Sequence, residues 1–151
     1  MNKVSGLIWI IGGAAVAVFL TALLWPSLLE SSAWIRPSGR VTLAGWLKDF
    51  RTWGLVGVFV GSSLALFWYL MGEFVWKIVT GGIVALWYIL ALLALAAGIV
   101  PAVFLLPAAQ NQWGAYGLYF LNFLLVYYAP TLFGPPATLA CIPPGWQLMR
   151  K

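Results

Sequence analysis

Catalysis at an enzyme site needs a base, a nucleophile or a set of metal ligands held side by side, and this chain keeps its candidates apart. Its acidic residues are Glu30, Asp49 and Glu73, neighbours being 19 and 24 residues apart in sequence, and it has no histidine. A zinc or iron centre draws three or four ligands from His, Cys, Asp and Glu, and no such cluster can be drawn here. Paired carboxylates and nucleophilic triads fail on the same count. The one cysteine, Cys141, sits in a proline-rich tail with no basic residue closer than Arg150, which reads as an inert thiol. There is no glycine-rich phosphate loop following a strand and no Cys-x-x-Cys pair. We therefore assign no catalytic, cofactor or metal site, and the residues point away from an enzyme.

Uncharged polar groups inside long apolar runs are the next candidates, chiefly Ser62, Ser63 and Asn122. An unpaired amide is costly in lipid, so Asn122 is expected to find a hydrogen-bond partner inside a helix bundle or at a subunit interface. Tyr119, one turn away, allows a rival reading of Asn122 as a polar station on a solute path. Ion-coupled transport generally uses an ionisable group at membrane depth, and none lies centrally in any apolar run. Structural hydrogen bonding is the favoured role.

What must position these residues is a set of membrane helices. Of 151 residues, 64% are hydrophobic and only 7% are charged, too few charges to keep a folded surface in water. A spanning helix takes about 20 apolar residues, so four spans fill most of the chain and leave no room for a soluble domain. The expected fold is an all-α integral membrane protein of one domain, with spans near 7–28, 53–79, 83–106 and 113–133. The first run begins after Lys3 and resembles a signal peptide in outline. Its run of 18 residues from Leu7 to Leu24, apolar but for Thr21, exceeds the usual length of such a region, so we read an uncleaved span. Trp9 and Trp25, about 24 Å apart on a helix, fit two aromatic belts. The second span is taken past Gly72, with Glu73 and Lys77 four residues apart and able to pair. Pro101 is expected to kink the third span. The tail over 134–151 is too rich in proline for a regular helix.

Between the first two spans, Leu43, Trp46, Leu47 and Phe50 recur at helical spacing, with Arg40, Lys48, Asp49 and Arg51 largely off that line. This pattern predicts a short amphipathic helix over 40–52 lying in the membrane interface, with Trp46 in acyl chains and Arg40, Lys48 and Arg51 among lipid phosphates. The formal net charge of +5 indicates contact with anionic headgroups and not nucleic acid. Arg36, Arg40, Lys48 and Arg51 favour a cytoplasmic first loop.

The second span also carries small residues on one stripe, Gly54, Gly57, Gly61 and Ala65, which would let another helix approach closely, within the chain or from another subunit. Taken together, the residues suggest a non-enzymatic, multi-pass subunit of a cell membrane, plasma or bacterial inner, that anchors or completes a larger assembly. The alternative is a small transporter or channel that forms its pore by oligomerisation.

Overall fold

The computed structural model describes residues 3–32, 34–76, 78–134, 139 and 142–144. Lys77, Cys141 and most of the 134–151 tail lie outside the described residues. Four helical stretches, Ser5–Ser31, Leu43–Phe74, Gly81–Phe104 and Trp113–Phe133, are long and apolar enough to cross a membrane. The protein is thus a helical, multi-pass membrane protein by length and composition.

The first and fourth spans are each built from three pieces. The first runs as α1 (Lys3–Phe19), a π-helical turn π1 (Leu20–Leu24) and α2 (Trp25–Ser31). The fourth runs as α5 (Trp113–Phe123), π2 (Leu124–Tyr128) and α6 (Ala129–Phe133). Both π turns occupy the same register ahead of a proline, ending two residues before Pro26 and Pro130 respectively. A proline cannot donate to the helix behind it, and widening the preceding turn to i→i+5 bonds is one way to absorb the loss. Trp25 N–H accordingly reaches back to Leu20 O, and Ala129 N–H to Leu124 O. The next carbonyl in the π2 series, Leu125, would pair with residue 130, which has no N–H.

The second span, α3 (Leu43–Phe74), is a single helix of 32 residues, about 48 Å long at the helical rise. Thr42 caps it, its side chain accepting from Gly45 N–H at 3.2 Å. The separate interfacial helix expected over 40–52 is therefore the first part of α3, which passes through Thr52 and Trp53 without a break. The apolar stripe is real but covered by protein: Trp46 and Phe50 are fully buried and Leu47 nearly so, against Leu29, Ile35, Leu106 and Tyr119. Helical periodicity says that a face is covered, and either lipid or a neighbouring helix satisfies it. At the other end α3 stops at Phe74, short of the expected 79.

The third span, α4 (Gly81–Phe104), opens on two glycines and contains Pro101 in its last turns. It packs against α3 as an antiparallel hairpin with Gly57 against Gly98. A Cβ built on Gly57 would lie 3.0 Å from Gly98 Cα and 3.6 Å from the carbonyl oxygen of Ala97, the one that Pro101 deprives of its donor. The loops at the far end are joined by a two-residue antiparallel bridge, β1 (Arg36–Pro37) with β2 (Ala109–Gln110), which pairs Arg36 with Gln110. Two side-chain bonds reinforce it: Trp46 indole N–H donates to Pro107 O at 3.0 Å, and Asn111 Nδ2 to Trp34 O at 3.0 Å. The outer surface is apolar, with Ile8, Ile11, Phe19, Leu23, Phe59 and Leu92 all more than half exposed.

Candidate functional site

Four polar side chains, Thr21, Trp25, Tyr119 and Asn122, converge where the first and fourth spans meet α3. Thr21 lies in π1 and Trp25 one turn later, so both face the same way. Asn122 lies at the end of α5, two residues before π2 begins. Its Nδ2 donates to Thr21 Oγ1 at 2.8 Å, and its Oδ1 accepts from the Trp25 indole N–H at 3.4 Å. Asn122 is 3% exposed and Thr21 fully buried. One turn before Asn122, the Tyr119 hydroxyl donates to Phe50 O at 2.8 Å, and its ring stacks on Phe50 with centroids 4.9 Å apart.

Gly54 gives these groups room. A Cβ there would lie 2.5 Å from Thr21 Cγ2 and 2.9 Å from the Tyr119 ring. The rest of the stripe faces the chain's own helices. Gly57 meets α4 at Gly98, Gly61 faces Val126 of π2, and Ala65 is buried in the core with Trp68 and Leu90. Gly54, Asn122 and Tyr119 thus come together, with Thr21 and Trp25 completing the cluster.

The two serines do not join it. Ser63 is exposed and its hydroxyl donates back to Phe59 O at 2.8 Å. Ser62 lies eight residues beyond Gly54, about 12 Å farther along α3, and its buried hydroxyl has no hydrogen-bond partner. Asn122 and Ser62 therefore do not form a continuous polar line. Arg40, Lys48 and Arg51 are exposed at the bridged end, whereas Trp46 is buried beneath the loops. Among the described residues no three His, Cys, Asp or Glu side chains come together.

Thr21 and Trp25 were not singled out from the sequence as a pair. The available signal was a lone hydroxyl in an apolar run with an indole four residues later, on one face of a helix. Trp25 passes for an ordinary belt residue until its N–H is seen to find a buried amide. No protein-family model, curated protein or solved structure matches this chain.

Proposed function

We propose that this chain is a non-enzymatic integral membrane subunit that anchors or completes a larger assembly in a cell membrane, plasma or bacterial inner. One observation carries the reading. The amide at the centre of the bundle, Asn122, is satisfied by Thr21 and Trp25, while large apolar side chains cover the outside. A bundle that uses its polar groups as internal fasteners offers lipid-embedded helices an apolar surface to pack on, and among the described residues Asn122 and Ser62 do not line up as a polar stripe. The reading includes no cofactor, a cytoplasmic first loop, and Arg40, Lys48 and Arg51 among anionic headgroups. Its partners are lipids and other membrane chains, not nucleic acid.

Affinity purification of the full chain in mild detergent tests it. A second membrane protein recovered in fixed stoichiometry supports the subunit reading. A homogeneous homo-oligomer that conducts ions in liposomes overturns it in favour of a pore.

A further inference from the structure

Two tryptophans in the core bury indole N–H groups that find no acceptor. Trp68 of α3 is 1% exposed and Trp87 of α4 is 3% exposed, and among the described residues neither Nε1 has a hydrogen-bond partner. Both belong to one buried cluster with Ala65, Leu90 and Tyr127. The register of the α3–α4 hairpin sets them opposite each other. Counting from Gly57 against Gly98, the buried positions 61, 65, 68 and 72 of α3 come level with the buried positions 94, 90, 87 and 83 of α4. Trp68 and Trp87 each stand 11 residues from those glycines. That interval is three helical turns to within about 20°, so both return to the face on which the glycines meet.

Buried donors are nearly always paired, and an orphaned one carries its whole desolvation cost. Two at one level of one helix pair mark a place for an acceptor. What fits is small, because both rings are almost fully enclosed, and uncharged, because an unpaired ion costs far more to bury than a neutral oxygen. Tyr127 supplies a third polar group. Its ring lies 5.8 Å from that of Trp87 between centroids, and its hydroxyl donates to Trp87 O at 3.1 Å, which leaves lone pairs on the phenol oxygen. About three polar partners are the usual complement of a buried water. We propose that Trp68, Trp87 and Tyr127 hold one water molecule inside the bundle, both indoles donating to its oxygen and one of its hydrogens going to the Tyr127 oxygen. The site is independent of whether the chain is a subunit or a pore.

NMR of the full chain, with nitrogen-labelled tryptophan in deuterated micelles, tests it through Overhauser transfer from water to the indole N–H groups. Trp68→Phe and Trp87→Phe assign the two peaks. Both N–H groups are expected to touch water while exchanging slowly with deuterium, a combination that separates a held water from bulk solvent. The buried Trp46 N–H, which donates to Pro107 O at 3.0 Å, should exchange slowly without any such contact. Each Phe variant should also weaken the water contact of the tryptophan that remains, and Tyr127→Phe should weaken both. If a variant unfolds, the unaltered chain still decides: absence of water contact at every slowly exchanging indole overturns the proposal. So does contact at only one of the pair. Peaks shifted upfield without water contact would show that the N–H groups donate to ring faces, with Trp76 packed on Trp68 and Tyr88 edge to face with Trp87, and would overturn it as well.

Discussion

Asn122 and Thr21, 101 positions apart in sequence, are joined side chain to side chain at 2.8 Å, and this bond ties the last span to the first. Both residues border a π turn, Thr21 inside π1 and Asn122 just ahead of π2. The two widened turns and the polar contact thus belong to one seam. Hydrogen bonds between membrane helices average only about 0.6 kcal/mol, because the separated helices also find partners. A seam bond therefore sets which faces meet more than how tightly they hold.

A double-mutant cycle on Asn122→Leu and Thr21→Val should return a coupling of about 0.6 kcal/mol, and at most about 1.7. Unfolding in mixed micelles measures it. Coupling near zero would mean that the two side chains are neighbours without being partners.

Ser62→Ala should behave in the opposite way to Asn122→Leu. The Ser62 hydroxyl is buried without a partner, so its removal costs little and relieves a desolvated group. Stability should stay level or rise by up to about 1 kcal/mol. A clear loss of stability would show that the hydroxyl has a partner after all.

Adjacent glycines should separate cleanly. Nothing lies near a Cβ on Gly12, whereas one on Gly13 would run into the carbonyl oxygen of Leu125. Gly12→Ala should be neutral, and Gly13→Ala should cost about 1–3 kcal/mol, the usual range for overpacking against groups that cannot yield. Matching melting curves for the two variants would remove Gly13 from the helix contact.

The bridged loops offer a covalent check. Directly paired residues of an antiparallel bridge have Cα atoms about 4.5–5.5 Å apart, within the range a disulfide spans. With Cys141 replaced by serine, Arg36→Cys and Gln110→Cys should cross-link readily under mild oxidant. Arg40→Cys with Gln110→Cys should not. A gel-shift assay after proteolysis between the spans reads the result.

The four spans could be read from run length alone, because about 20 apolar residues in a row have few other uses. The small-residue stripe was equally visible, but not its neighbours, since Gly57 says that something comes close without saying that it is Gly98 of the same chain. Residues 40–52 are ambiguous in the sequence for a related reason. The charges of Lys48 and Arg51 suggested a helix lying on lipid, yet the Trp46 indole is used up on Pro107 O beneath the loops. The π turns left only an indirect trace, a proline placed near the end of an otherwise regular span. The Asn122 amide was recognised as needing a partner, but its partners come from a span more than a hundred residues away, and spacing along one helix cannot reveal them.

The seam also sets an order of events during synthesis. Thr21 is made early and Asn122 only after a further 101 residues, so at ribosomal speeds of about 5–20 residues per second the first span waits roughly 5–20 s for its amide. Throughout that interval π1 has no fourth span to lean on, and the Trp25 indole lacks its acceptor. The face of the first span that is best covered in the finished bundle is thus the one exposed longest while the chain is being built.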